Sequence, residues 1–219
     1  DLDAAARLAV YGASYNAGQV CCATERVIVF ESVHDEFVAA AVAAAAEVRL
    51  GDPFDEATTM GPLNNEEVAA KMDRHLADAR DRGAEVLLGG GRASGFPTDL
   101  YYELTVVDRV PEDSLLAAEE SFGPVLPILT AADDAEAAAI ANRSNLGLQA
   151  AVFTSSLRRA FWYADHIRSG TVVVNDSSDF WETFQPFGGA AGTDTGWGRG
   201  AIEEFTDLRT LVVDLENVR

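Results

Sequence analysis

The chain has few of the residues that bind polyanions or cross membranes. Of its 219 residues only Lys71 is a lysine, and 16 basic residues stand against 36 acidic ones, which gives a formal net charge of −20. This acidity argues against nucleic acids and anionic membranes as partners, because they carry charge of the same sign. No uninterrupted apolar run is long enough to span a bilayer, and the first residues lack the basic start of a signal peptide. We therefore expect a protein that binds neither nucleic acid nor a membrane.

Cysteine is also scarce, and the two that occur are adjacent, at Cys21 and Cys22. Adjacent cysteines form only a strained disulfide ring, and no CxxC pair or Cys/His cluster completes a zinc site. Two thiols that do not readily pair favour a reducing compartment, so we expect a cytoplasmic protein without a metal site. Two interpretations of the pair remain: a catalytic thiolate on a short connection, or two small buried apolar side chains.

Helical and strand patterns alternate along the chain. Asp3 is predicted to cap an amphipathic helix over about 4–15 that buries Leu8, Tyr11 and Tyr15. Further helices are predicted over 33–49, opened by a Ser32/Asp35 capping box, from Asn64 or Asn65 to Gly83, over 133–143 and over 157–167. Strands are predicted at 26–30, 85–88, 101–107, 125–130, 150–153, 171–175 and 210–214. These repeated βα units indicate an α/β fold, a mostly parallel, Rossmann-like sheet with helices on both faces.

Four short segments carry side chains that turn chemistry alone does not explain. The first holds the two cysteines after Asn16-Ala17-Gly18-Gln19. The second is Glu119-Glu120-Ser121-Phe122-Gly123-Pro124. In the third, Asn175 ends a β-branched strand, at the carboxyl edge where α/β proteins place ligands. The fourth is Pro186-Phe187-Gly188-Gly189, which follows the aromatic residues Phe180, Trp181 and Phe184.

In this order, the four segments resemble the catalytic domain of the NAD(P)-dependent aldehyde dehydrogenase superfamily. The family's thiol motif, Asn-x-Gly-Gln-x-Cys, is matched by Asn16, Gly18, Gln19 and Cys21. Its Glu-x-Phe-Gly-Pro motif is matched from Glu120 to Pro124, and its Pro-Phe-Gly-Gly motif from Pro186 to Gly189. The resemblance spans essentially the whole chain, and the joint match is specific although each motif alone is weak.

The resemblance implies a role for each matched residue. Cys21, the second residue after Gln19, would attack an aldehyde carbonyl and pass through a thiohemiacetal and a thioester, while Cys22 packs. Glu120 would accept hydrogen bonds from the nicotinamide ribose of NAD or NADP, and Phe122 would lie near the nicotinamide. Four side chains would line or contact the aldehyde entrance: Asn175, Phe180, Trp181 and Phe187.

The resemblance also implies what this sequence does not contain. A complete family member has a cofactor-binding domain, a Glu-Leu-Gly-Gly glutamate that activates water, and an oxyanion-hole asparagine, and none of these occurs here. We therefore expect residues 1–200 to form the catalytic domain alone, with little activity in isolation. The sequence departs from the family pattern between Ala191 and Arg199. Residues 201–219 are expected to be a tail whose strand at 210–214 joins a neighbouring subunit, which implies a homo-oligomer.

Three alternatives to aldehyde oxidation stay open on the sequence. An acylating or acyl-phosphate-reducing relative would keep the thioester and change its acceptor. A non-catalytic assembly domain would keep only the fold. A thiol hydrolase is disfavoured because no histidine lies near the cysteine in any predictable way.

Overall fold

Two sheets organise the part of the chain that the structure, a computed structural model, describes, namely residues 1–190 and 201–214. The larger sheet has the strand order β1-β4-β3-β2, in which β1, β4 and β3 are parallel and β2 is antiparallel to β3. The smaller sheet pairs β5 with β6 in parallel. The strands are β1 Val27–Phe30, β2 Glu85–Leu88, β3 Thr105–Asp108, β4 Val125–Ala131, β5 Gln149–Val152 and β6 Thr171–Val174. The predicted α/β class with a mostly parallel sheet is confirmed.

Seven helices accompany the sheets in the described ranges. They are α1 Leu2–Ser14, α2 His34–Ala45, α3 Glu66–Asp81, α4 Leu115–Ala118, α5 Asp134–Ala141, α6 Leu157–His166 and α7 Ala201–Glu204, with 3₁₀ turns at Tyr15–Gly18 and Glu31–Val33. Helix α1 packs on α2, α2 contacts β3, and α5 contacts β1 and β4. Every residue of β4 except Thr130 is buried, so both faces of this central strand are covered. In the part that the structure describes, none of the helices has the length and hydropathy that a membrane span requires.

The first helix differs from its prediction at its cap and on its buried face. Asp1, not Asp3, caps α1 by accepting a hydrogen bond from the N–H of Ala4. Tyr11 and Tyr15 are 48% and 50% exposed, and their rings pack on each other. The buried face consists mainly of small side chains, at Ala5, Ala6, Ala9, Val10 and Ala13. Small residues allow α1 and α2 to approach closely, so the large side chains turn outward.

Other helix and strand boundaries in the structure also differ from those predicted from the sequence. Ser32 and Asp35 do not form a capping box, because Ser32 lies in a 3₁₀ turn and α2 begins at His34 without a side-chain cap. Asn65 caps α3, as one of the two predicted alternatives. The strand predicted at 210–214 does not form: those residues are irregular and exposed. The departure from the family pattern within 191–200 and the end of the tail at 215–219 lie outside the described residues.

A buried histidine at the start of α2 makes the stability of the folded protein depend on pH. The Nε2 and Nδ1 atoms of His34 each lie 2.8 Å from a carboxylate oxygen, of Asp108 and Asp35 respectively. Burial lowers the pKa of His34, but the hydrogen bonds to Asp35 and Asp108 outweigh it, so the pKa is raised above its usual value. A raised folded pKa means that charged His34 stabilises the protein fully below its unfolded pKa of about 6.5, and that this contribution is lost as pH rises through the folded pKa.

Replacing His34 with Gln is therefore expected to destabilise the protein most at low pH. Between about pH 6 and about pH 9 the loss in unfolding free energy should shrink by roughly 1–2 kcal/mol, the scale of a hydrogen bond to a charged group. Urea unfolding of His34→Gln and wild type at several pH values measures this difference. His166→Gln, on α6, is the control. A His34→Gln penalty that is constant across this range would contradict the prediction.

Candidate active site

The loop that carries the two thiols has an unusual backbone. After α1 the chain passes through three consecutive left-handed residues, Asn16, Ala17 and Gly18, with φ of 50°, 55° and 71°. Asparagine and glycine adopt this region most readily, while Ala17 does so at a cost of about 1 kcal/mol. The loop reverses the chain tightly between α1 and β1, which places the thiols at the turn.

Two side chains of the motif hold this loop together. The Asn16 amide donates to the carbonyl of Gln19 (3.1 Å), and the Gln19 amide donates to the carbonyl of Asn16 (3.0 Å). The Gln19 side-chain oxygen also accepts the N–H of Asn64 (2.7 Å), just before α3. The Asn and Gln of the motif therefore act as a reciprocal clamp rather than as reacting groups.

The two cysteines lie in different environments, and neither forms a disulfide. Cys21 is exposed and Cys22 is buried. Burial, followed by the charges of Cys21 and Asp179, raises the pKa of the Cys22 thiol to about 11. Since the thiolate is the nucleophile, we expect Cys22 to react slowly at neutral pH, and Cys21 is the accessible thiol. Burial of Cys22 agrees with the packing role predicted for it.

The second motif, Glu120 to Pro124, lies directly against the connection between α1 and β1 that carries the two cysteines, residues 15–26, which we call the thiol loop. A Cβ atom built at Gly18 would overlap the carbonyl oxygen of Gly123, so these two backbones are in contact. Phe122, the residue before Gly123, is half-buried and has a φ of 56°. Glu119 and Glu120 are exposed. In the described ranges, no hydrogen bond or ion pair engages the Glu120 carboxylate, which leaves it available to a ligand.

Three residues that the sequence analysis did not single out as site residues support this segment. The Glu25 carboxylate accepts the N–H groups of Ser121 (2.8 Å) and Phe122 (2.9 Å). Buried His75, on α3, lies 3.1 Å from the Ser121 hydroxyl through Nδ1. The Lys71 ammonium lies 6.0 Å from the centre of the Phe122 ring.

Asn175 has a structural role in the present geometry. It has a φ of 59°, and its side chain accepts the N–H of Thr154 (2.8 Å) and donates to the Thr154 carbonyl (2.9 Å). These bonds join the chain after β6 to the chain after β5. The expected contact between Asn175 and the aldehyde stays a prediction, and the amide has one N–H left for it.

The aromatic residues predicted near the aldehyde lie beside β6. Phe180 and Trp181 are exposed, and Phe187 is half-buried. A cavity of about 610 Å³ lies along β6 and is also lined by Asp176, Phe180, Gln185 and Pro186. Of the residues predicted to contact the aldehyde only Phe180 lines it, whereas Asn175, Trp181 and Phe187 do not, and neither does Cys21.

Two hydrogen bonds tie this aromatic region to the thiol loop. The Ser178 hydroxyl donates to the carbonyl of Cys22 (2.9 Å) and lies 3.4 Å from the Thr24 hydroxyl. The Gln149 amide, with its nitrogen turned toward the loop, donates to the carbonyls of Ser178 and Phe180. The start of β5 therefore fixes the loop next to the thiols, an arrangement that no local sequence pattern predicts.

The structure is thus an α/β domain in which an exposed cysteine lies on a tight loop that contacts a segment with an available carboxylate. The chain belongs to the aldehyde dehydrogenase family, whose model matches residues 1–211.

Individual relatives agree with this assignment. Lactaldehyde dehydrogenase of Methanococcus vannielii is 36% identical over 215 residues, which are 97% of this chain and 45% of that protein. The crystal structure of an NAD-dependent aldehyde dehydrogenase from Sinorhizobium meliloti is similar with a TM-score of 0.89 and 34% identity, covering 100% of this chain and 43% of that one. Glyceraldehyde-3-phosphate dehydrogenase GapN from Methanocaldococcus jannaschii, complexed with NADP, has a TM-score of 0.81 and 34% identity over 87% and 40% of the two chains. The chain thus spans under half the length of these relatives.

Proposed function

We propose that this chain is the thiol-bearing catalytic domain of an NAD(P)-dependent aldehyde dehydrogenase, which oxidises an aldehyde to a carboxylic acid. The observation that carries the proposal is the contact of Gly18 with Gly123, because it sets exposed Cys21 and available Glu120 on adjoining loops. The relatives named for aldehydes, and the structures described with NAD or NADP, support the same activity.

The Cys21 thiolate attacks the carbonyl carbon of the aldehyde and forms the C–S bond of a thiohemiacetal. Among the described residues no acceptor takes the backbone N–H of Cys21, so it is available to donate to the developing oxyanion. NAD(P), when bound, supplies the acceptor for the hydride that leaves this carbon. As the hydride leaves, the oxyanion re-forms the C=O bond, which leaves a thioester on Cys21. Water then cleaves the C–S bond, releasing the carboxylic acid and the thiol.

The residues of the second motif fit the nicotinamide end of a dinucleotide. The available carboxylate of Glu120 can accept hydrogen bonds from two ribose hydroxyls, and the Phe122 ring offers a half-buried apolar surface for the nicotinamide. On the aldehyde side we assign contacts to Asn175, Phe180, Trp181 and Phe187. From the resemblance of the motifs, we place the adenosine and phosphate contacts, the base that activates water and the oxyanion-hole asparagine outside these 219 residues. We therefore propose that this chain by itself turns over little aldehyde, and steady NADH formation by it would overturn this.

The tail and the compartment complete the proposal. Residues 206–214 carry the exposed apolar side chains of Leu208, Leu211, Val212 and Val213 outside any helix or strand. We assign this tail to an interface with a second copy of the protein, in which it forms the strand expected from the sequence. We also place the protein in the cytoplasm, where two unpaired thiols stay reduced.

Alkylation by iodoacetamide, with each site assigned by peptide mass spectrometry, tests the thiol assignment. At pH 8 Cys21 is expected to react at least about tenfold faster than Cys22, because a buried thiol with a raised pKa is mostly protonated there. Cys22 should remain slow until the pH approaches its raised pKa of about 11. Cys22→Ser should leave the Cys21 rate nearly unchanged. Equal rates for the two thiols would contradict Cys21 as the nucleophile.

A further inference from the structure

We propose that Glu25 is a positioning residue that fixes the Glu120–Phe122 segment relative to the Cys21 loop. Glu25 lies four residues after Cys21, on the stretch that leads into β1. Its two carboxylate oxygens accept two successive backbone N–H groups, of Ser121 and Phe122, at 2.8 and 2.9 Å. One side chain of the thiol segment therefore holds both the position and the orientation of the segment that carries Glu120.

The held segment needs such support because its backbone is strained. Phe122 is a bulky residue with a φ of 56°, a conformation that costs an L-residue about 1–2 kcal/mol. Hydrogen bonds from N–H groups to a carboxylate are about twice as strong as neutral ones, so the Glu25 pair can offset this cost. Released from Glu25, the segment would relax toward ordinary φ values and carry the Glu120 side chain with it.

Several further contacts restrain the same segment, including that of Lys71 with the Phe122 ring, and two of them show which part depends on Glu25. Gly123 touches Gly18 of the thiol loop, and the Ser121 hydroxyl bonds to His75. These contacts hold the end of the segment and one side chain, but neither one bonds the N–H groups of Ser121 and Phe122. The orientation of the Glu120 peptide is therefore controlled mainly by Glu25.

The environment of Glu25 fits a positioning role better than a stabilising one. Burial raises the pKa of Glu25, the N–H groups of Phe122 and Ser121 lower it, and the charge of nearby Glu120 raises it further. A partly buried carboxylate near a second carboxylate is costly, and the charge of Lys71 offsets only part of this cost. Apolar packing would stabilise this site at a lower cost, but it would leave the two N–H groups unbonded and the segment free to turn.

Amide hydrogen exchange tests the anchor directly and does not depend on the proposed function. In Glu25→Ala, protection of the Ser121 and Phe122 amides should fall by about tenfold or more, while the amide of Thr24, bonded to Gly12, changes little. Glu25→Gln keeps the shape and one acceptor oxygen, so its loss should be intermediate. Glu136→Ala is the matched control, because within residues 1–190 and 201–214 the Glu136 carboxylate bonds only the N–H of Ala132. Unchanged protection in Glu25→Gln and Glu25→Ala would overturn the anchor.

The inference also implies that Glu25 affects NAD binding through the Glu120–Phe122 segment. This part rests on the proposed function, and a second measurement tests it. NAD is titrated to high concentration, and its protection of Cys21 from iodoacetamide gives a half-protecting concentration. Glu25→Ala should raise this concentration by about threefold or more, whereas Glu25→Gln should raise it less and Glu136→Ala should not raise it. Lost amide protection with an unchanged half-protecting concentration would reduce Glu25 to a purely structural role and overturn the proposal. Because this chain is proposed to lack the adenosine and phosphate contacts, NAD is expected to bind it weakly at best; if wild type shows no NAD effect, hydrogen exchange of the Ser121 and Phe122 amides alone decides the anchor.

Discussion

Replacing Gly18 with alanine is expected to lower the free energy of unfolding by about 3 kcal/mol or more. An L-residue at the φ of 71° found here is strained, and the added Cβ would also overlap the carbonyl oxygen of Gly123. That carbonyl has little room to move, because Gly123 itself packs against Met72 and the preceding N–H of Phe122 is bonded to Glu25. The variant must therefore separate the two motif loops or unfold more readily.

Gly83→Ala supplies the matched control for this prediction. Gly83 also has a left-handed φ, of 94°, but a Cβ there would meet nothing within 4 Å. Its substitution should cost only the conformational term, about 1–2 kcal/mol. Urea unfolding of the two variants separates the cost of the left-handed φ from the cost of overlap with the Gly123 carbonyl. The alkylation rate of Cys21 shows whether the loop that carries this thiol has moved. Equal losses for Gly18→Ala and Gly83→Ala would mean that the two loops do not pack as described.

The local part of the site could be predicted from the sequence because its chemistry is local. Asn16, Gly18 and Gln19 lie within four residues of one another, and their clamp satisfies backbone groups of the same turn. Identification of Cys21 over Cys22 depended on spacing in a motif, and the burial of Cys22 agrees with it. Most of the strands were also predictable, since runs of Val, Ile and Leu have few stable alternatives in an α/β chain, but the strand predicted at 101–107 begins only at Thr105 and the one at 210–214 does not form.

The role of Glu25 was not predictable, because in the sequence a glutamate before a strand cannot be distinguished from an ordinary solvated acid. Its partners are 96 and 97 residues away, and no pattern near Glu25 indicates them. Tyr11 and Tyr15 show a related limit. Helical periodicity identified a face with large side chains, but the close approach of α1 and α2 buries the alanine face instead. The tail at 210–214 has the composition of a strand, yet a strand needs a neighbour that a single copy of the described chain does not supply.

The second large effect on stability is expected from substitution of Arg26, the residue after Glu25. Its guanidinium donates to the carbonyls of Ile140 and Ala141, both at 3.1 Å, and to the Ser144 hydroxyl at 2.8 Å. These groups lie at the end of α5, where the helix dipole favours a cation, and the Ile140 carbonyl also accepts the N–H of Arg143 at 3.3 Å. Burial lowers the pKa of Arg26, but an arginine keeps its charge in proteins, so the site holds a charge that its acceptors must satisfy.

Arg26→Met is therefore expected to lower the unfolding free energy by about 2–4 kcal/mol, since three acceptors lose a charged donor at once. Arg26→Lys should recover part of this loss, because an ammonium group can reach only some of the same acceptors. Arg168→Met is the matched control: Arg168 donates to the Asn142 carbonyl in the same turn, but from an exposed position, so its removal should cost under about 1 kcal/mol. Chemical denaturation of the three variants gives the comparison. If Arg26→Met cost no more than Arg168→Met, the end of α5 would not depend on Arg26, and the stretch between Cys21 and β1 would be held by Glu25 and strand pairing alone.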